Sequence, residues 1–347
     1  MTETDLNGWI EQANAGAVVT KQVVASPAGC VVPIGPAGLE PLTGKFSLAA
    51  AGVVLSGGDS IFDVRYRGTL TLSGVTLTGS TKSAILNAWG GSVDVTDSRI
   101  IGNSSRFGGG VDNSGGAMRL VRTELAGNTS TGNGGGISSS GVDATLTLID
   151  CVVRDNTSLY GGGIGSSNGT VLLKNTKLTG NHADGGSAVV NSAGEMTFDG
   201  SEVSGNVSPL SAGAITNTGT VHIIGSTVAD NEGGAVVVVA GGPVTVSDSR
   251  ISGNTSGGSG AAVLNGSGAT VIVERTEVTG NKAGGPGGGL ANGAGGLFRV
   301  VDSTVRGNTA GAPGGGIVNV SGGTMTVTGG QITGNAPDDC AGSITGC

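Results

Sequence analysis

His182 carries an imidazole, a side chain that could serve as a general acid or base. Tyr160, in the stretch DNTSLYGGGI, could donate a proton or stack on a ring. Asp112 and Asp184 are carboxylates able to orient that imidazole, and Arg106 could hold a substrate carboxylate. Phe107, Asn133 and Glu232 complete the group as substrate-contacting candidates. The chemistry these side chains could share is acid–base catalysis of the lyase, epimerase or cyclase kind on a carbohydrate or small metabolite. Taken singly, each is also what a solvated loop carries; their clustering sets them apart. His222, outward between Val221 and Ile223, reads as surface.

Clustering follows only if the chain is a repeat. Pairs of GN or DN recur at Asn103, Asn128, Asn156, Asn181, Asn206, Asn231, Asn254, Asn281, Asn308 and Asn335, at intervals of 23 to 28 residues. A unit that short cannot bury its own apolar face, so units must stack. Each unit has three parts. A short strand such as AILN (84–87), AVVN (188–191) or GIVN (316–319) points an aliphatic inward and ends in Asn. Stacked Asn87, Asn113, Asn191, Asn217, Asn265, Asn292 and Asn319 should form a hydrogen-bonded ladder, with Ser139, Ser166 and Val238 as exceptions. An alternating strand follows, as in TLTLIDC (145–151) or TVHIIGS (220–226), whose period of two excludes a helix. A third, shorter strand such as ELAGN or RISGN ends in Gly–Asn, where Gly supplies the turn dihedrals.

Three strands and three turns per repeat describe one coil of a parallel β-helix. The expected architecture is all-β: a single-stranded right-handed parallel β-helix of about eleven coils over 53–335, spaced as neighbouring strands are. Residues 1–52 are expected to form an N-terminal cap with a helix at about 4–16 and one irregular coil. Leu6, Trp9, Ile10 and Ala13 would line one face of that helix. Residues 336–347 would cap the other end.

Subtracting this scaffold leaves the loop between GN and GGG and the outward residues of the first strand. The loop carries Arg106, Phe107, Asn133, Leu159, Tyr160, His182, Asp184, Pro209, Leu210 and Glu232. The outward residues begin with Phe62, Leu86 and Asp112. An aliphatic stripe of Leu86, Val190, Val237, Leu264 and Val318 on the same face could pair copies of the chain. Elsewhere, Tyr66 and Trp89 fall one coil apart beside Asp63, Arg65 and Arg67.

The GGGI…N and GN signatures resemble the right-handed parallel β-helix repeats of the pectate-lyase-like superfamily. They are nearest in pattern to the polymorphic outer-membrane protein repeats, over about residues 53–335. That resemblance implies the fold; the superfamily includes lyases, hydrolases, epimerases, tailspikes and adhesins, so it does not choose a function. Some of its polysaccharide lyases and epimerases use the equivalent groove. The usual phenylalanine of the polymorphic repeat is mostly missing, and no barrel follows the last coil, which speaks against a surface adhesin.

Composition narrows the partners. A net charge of −8 without a Lys/Arg stripe argues against nucleic acid. No apolar run approaches the roughly 18 residues of a membrane span. The sequence opens without a secretory signal, which points to a cytoplasmic protein, or a secreted one if a leader has been removed. None of the four cysteines has metal-site spacing, no GGxGxD calcium pattern occurs, and no cofactor is implied. Cys340 and Cys347 could close a small loop, and Cys151 falls in a Ser/Thr column as a buried thiol. Two functions therefore stand: a solenoid presenting a groove for a saccharide, small molecule or partner, or an enzyme using Tyr160 and His182 in that groove. The mixed outward columns exclude the regular threonine ladders that ice binding needs.

Overall fold

The computed structural model describes residues 1–24, 29–210, 212–266, 268–320 and 322–347. The chain forms two compact units, residues 1–171 and 172–347. Both are wound as parallel β-solenoid, with about thirteen turns in the whole chain.

In the first unit a helix spans Glu3–Asn14. Its start is fixed by a reciprocal cap: Asp5 N donates to Thr2 Oγ1 (3.2 Å) and Thr2 N donates to Asp5 Oδ2 (2.8 Å). Leu6, Ile10 and Ala13 are buried on the coil beneath, while Trp9 is only half-buried, with the Lys21 ammonium 5.1 Å from its ring centre. Asn14 Oδ1 accepts from Thr43 N (2.8 Å) and Gly44 N (3.1 Å), tying the helix end to the solenoid.

Winding begins earlier than the repeat signature indicates. Val18–Val24 and Cys30–Ile34 both pair in parallel with Lys45–Gly57, which pairs with Thr69–Thr78. Val18–Val24, Cys30–Ile34 and Lys45–Gly57 thus already wind as solenoid, which accounts for about thirteen turns where eleven were expected. They carry no Gly–Asn punctuation, and residues 25–28 within them lie outside the described set. The other end behaves alike. Cys340–Gly342 adds to Ile317–Asn319, and Ile344–Thr345 adds to Thr324–Thr328, so the tail continues the winding; Cys340 and Cys347 are disulfide-bonded.

From residue 62 onward the coils of the first unit build four columns, not three. The first-strand column holds Phe62–Val64, Ile85–Asn87, Val111–Ser114, Ile137–Ser140 and Ile164–Ser167. The alternating strands and the short strands each stack in register, as in Ala117–Val121 on Thr145–Ile149 and Glu124–Ala126 on Val152–Arg154. The fourth column occupies what reads as a loop: Ser104–Phe107, Thr129–Asn133 and Thr157–Tyr160. The second unit has corresponding short strands of its own, His182–Gly185 and two-residue strands such as Thr255–Ser256 and Lys282–Ala283. Phe62 corrects one orientation: it pairs with Ile85 and is buried, and the outward residue of that strand is Asp63.

Two asparagine ladders run through the corners. The expected one joins Asn87 Nδ2 to Asn113 Oδ1 (2.8 Å) in the first unit, and Asn265 to Asn292 to Asn319 (2.9 Å each) in the second. The valines that interrupt it have a visible consequence. Asn87 and Asn265 follow Val64 and Val238 in register, which carry no donor, and their Oδ1 atoms are buried without a partner. The Gly–Asn asparagines form a second and more continuous ladder, for example Asn231 to Asn254 (2.8 Å) to Asn281 (2.9 Å) to Asn308 (2.9 Å). Each Oδ1 in it also accepts the backbone N–H of the preceding asparagine, so these buried corners are well satisfied. Cys151 is buried in the Ser/Thr column, and burial pushes its thiol pKa up.

Most of the basic side chains pair with a carboxylate, often one on the neighbouring coil. Arg122 binds Asp97 through two bonds (2.7 and 2.9 Å), and Arg275 binds Asp248 likewise. All four stand at left-handed corners, φ 45–52°. The guanidiniums hold Asp97 and Asp248 below the usual carboxylate range. Among the described residues only Arg67, Arg106 and Arg299 of the arginines make no ion pair.

Candidate functional site

In the first unit the fourth column forms a wall beside the outward face of the first strand. Three consecutive coils put Phe107, Asn133 and Tyr160 in one row by strand register. The floor residues also stack in register, Leu86, Asp112, Ser138 and Gly165. Wall and floor are joined by the glycine run, and its first glycine is required at each coil. Gly108, Gly134 and Gly161 have φ of 60°, 70° and 64°. A β-carbon on any of them would stand 2.0–2.4 Å from the carbonyl oxygen of Val111, Ile137 or Ile164. No side chain fits there, so the wall folds closely over the floor.

The groove is chemically mixed. Phe107 and Tyr160 are exposed to 44% and 52%, unlike the buried Phe46 and Phe62 of the same unit. The Arg106 guanidinium lies 5.2 Å from the Phe107 ring centre and has no carboxylate partner. Asn133 leans over Gly165, filling the place of its missing side chain, and its Oδ1 is buried with no donor. Asp112 is half-buried on the floor and accepts from Ser114 Oγ (3.0 Å).

Burial raises the Asp112 pKa, and the Ser114 hydroxyl offsets this only in part. A raised folded pKa means that the protonated form favours the fold. The contribution is full below the unfolded value of about 3.9 and is lost as pH rises through the folded one. Asp112→Asn is therefore expected to raise the denaturation midpoint at pH 7 and leave it nearly unchanged at pH 3. A lower midpoint at pH 7 would show that the ionised carboxylate is stabilised by something other than Ser114.

The remaining candidates belong to the second unit. His182 is exposed, Ala183 buried and Asp184 half-buried, so His182 and Asp184 share the outward face of one short strand. Among the described residues no hydrogen bond joins them. His182, Val207, Glu232 and Thr255 follow one another coil to coil. Glu232 lines a cavity of about 460 Å³ with Ser208, Pro209, Thr255, Ser256 and Lys282. Lys282 is a cation that sequence reading passed over, because a single lysine among Gly, Ser and Ala gives no repeat signal.

The aliphatic stripe needs correcting. Leu86, Val190, Val237 and Leu264 are only half-exposed, and Val318 is buried. The loop glycines lie against them: a β-carbon on Gly186 would stand 2.5 Å from Val190 Cγ2, and one on Gly213 would stand 2.8 Å from Val237 Cγ2. The glycines thus cover part of Val190 and Val237.

The family model for the right handed beta helix region matches residues 163–332. Among solved structures, the A-module of mannuronan C-5 epimerase AlgE4 of Azotobacter vinelandii is similar at 17% identity and a TM-score of 0.50, covering 99% of this chain and 92% of that one. The AlgE6 A-module of the same organism aligns at 15% identity and a TM-score of 0.40, covering 99% and 94%. No curated protein matches the chain. No helix among the described residues is long and apolar enough to cross a membrane. The likeness at these identities concerns the fold alone, a right-handed parallel β-helix.

Proposed function

We propose that the chain binds an acidic saccharide in the groove of its first unit, between the Phe107–Asn133–Tyr160 row and the Leu86–Asp112–Ser138–Gly165 floor. The observation that carries this reading is the company Arg106 keeps. Eight of the protein's arginines are neutralised by carboxylates, while Arg106 has no ion pair and lies against the exposed Phe107 ring, in the row that goes on to Asn133, with its donorless buried amide oxygen, and exposed Tyr160. A sugar ring has an apolar face for the aromatics and hydroxyls for Asn133. Its carboxylate, if it is a uronic acid, suits a guanidinium. The AlgE4 module, named for mannuronan, makes uronate oligomers the natural first probes.

Calorimetric titration with uronate hexasaccharides tests the proposal. Tyr160→Ala and Arg106→Gln should each weaken binding about tenfold, in the range of a lost charged bond or aromatic contact. Equal affinity in wild type and both variants would refute the groove.

A second reading, an acid–base enzyme, is favoured by Asp112, a carboxyl whose raised pKa on the groove floor suits a proton donor. Incubating the same oligomers in deuterated water separates the two. Deuterium incorporation or an unsaturated product, lost in Tyr160→Phe or His182→Ala, supports an enzyme. Binding without exchange supports the first reading.

A further inference from the structure

The protein has nine aromatic residues, too few for any to be wasted on solvent. Phe46, Phe62, Phe198 and Phe298 are in the core, Trp9 is on the N-terminal helix, and Phe107 and Tyr160 stand in one row of the fourth column. Tyr66 and Trp89 are in none of these places. They follow the first strand, at the corner opposite the glycine run, and are exposed to 64% and 75%. With Gly90, Gly115, Gly141, Val142, Asp143 and Asn168 they line a separate cavity of about 580 Å³, wholly within the first unit.

Each ring touches the glycine of the next coil. A β-carbon on Gly90 would stand 2.8 Å from Tyr66 Cδ2 and 3.2 Å from Cε2 but 4.0 Å from Cγ, so this glycine meets the edge of the phenol ring. One on Gly115 would stand 2.8 Å from Trp89 Cδ1 and 3.1 Å from both Cγ and Nε1, nearly equidistant from three atoms. Only an approach to the flat of the ring gives that pattern, so the indole lies face down on Gly115 and turns its other face to solvent. Gly141 follows beneath, with φ of 106° and no side chain, and Val142, 79% exposed, extends the apolar surface. Polar groups sit at the two ends. The Arg67 guanidinium is 5.1 Å from the Tyr66 ring centre, and Asp143 and Asn168 close the far side.

We propose that this shelf is a second binding site, for an uncharged saccharide chain. Plates placed one per coil, on the order of 5 Å apart, suit consecutive rings of a linear polymer. Apolar plates between polar ends suit rings with an apolar face and hydroxylated edges. Arg67 and Asp143 cancel in charge, unlike the lone Arg106 of the groove, so the shelf has no call for an acidic ligand. The cavity falls within the roughly 300–1,000 Å³ of small-ligand sites and spans too few coils to supply the roughly 800 Å² per partner of a stable protein interface.

Titration with a β-1,4-linked glucose hexasaccharide, followed by calorimetry and tryptophan fluorescence, tests the site. Wild type should bind with a change in emission. Trp89→Ala and Tyr66→Ala should each weaken binding about tenfold or more, and Trp89→Phe should restore most of it. Both side chains are exposed, so circular dichroism and the unfolding midpoint should not move. Tyr160→Ala should leave this titration unchanged, which separates the shelf from the groove: either can fail alone. No binding by wild type, or equal binding by Trp89→Ala, overturns the proposal. A concentration-dependent dimer that is lost in Trp89→Ala, without saccharide binding, overturns it in favour of self-association.

Discussion

Asn254→Ala is expected to lower the unfolding free energy by about 3–5 kcal/mol, more than any single apolar truncation of similar size. Asn254 is fully buried in the second ladder. Its Oδ1 accepts from Asn231 N (3.0 Å) and Asn231 Nδ2 (2.8 Å), and its Nδ2 donates to Val228 O (3.0 Å), Ser252 O (3.1 Å) and Asn281 Oδ1 (2.9 Å). Alanine removes one acceptor from two donors and one donor group from three acceptors, deep in the solenoid wall. Stripping a partner from a buried polar group costs the desolvation of the group left behind. Denaturant titration measures the loss, and a change below about 1 kcal/mol would mean that water replaces the amide. Asn254→Asp sharpens the test. The carboxylate keeps the acceptor but faces two carbonyls and an amide oxygen, which raises its folded pKa. The variant should be nearer wild type at pH 4 and worse at pH 7, because the destabilisation appears as pH rises through the raised value. A packing defect alone would show no such dependence.

The ladders and core strands were legible because their signals repeat. Alternation in TLTLIDC or TVHIIGS fixes which residues point inward, and Leu146, Leu148, Val221 and Ile223 are all buried. The Asn that closes each first strand recurs at one position, so stacking follows from the coil. Three features were not legible, for physical reasons. The turns before residue 53 are held by the same parallel pairing, but their corners lack Gly–Asn, so the count came out short. Ile61–Phe62–Asp63–Val64 has adjacent apolar residues, and alternation cannot say which faces inward; register with Ile85 and Leu86 decides it. The fourth column mixes Ser, Thr and Gly with residues that differ from coil to coil, such as Phe107, Asn133 and Tyr160, and the pattern has no period. Its strands exist because neighbouring coils present matching backbone groups, a tertiary effect. The candidate residues stand out in the sequence as departures from the repeat, while the closeness of wall to floor does not.

That closeness makes Gly134→Ala the other large-effect change, at an expected loss of about 3–5 kcal/mol from left-handed strain and backbone overlap together. Gly134 sits at φ 70°, and its β-carbon would meet Ile137 O at 2.1 Å and Ser138 N at 2.7 Å, all backbone that cannot rotate away. Gly127, in the same coil, separates the two terms. Its φ is 61°, but a β-carbon there meets nothing within 4 Å, so Gly127→Ala should lose only the dihedral preference, about 1–2 kcal/mol. The difference between the two variants measures how tightly wall and floor are joined. It also reaches the groove: the backbone can relieve the overlap only by lifting Asn133 from Gly165 and breaking the row it forms with Phe107 and Tyr160. Gly134→Ala should weaken uronate binding as Tyr160→Ala does, although it touches no ligand, while Gly127→Ala should not. Equal destabilisation by the two alanines, with binding intact in both, would show that the glycine run serves the turn alone and does not shape the site.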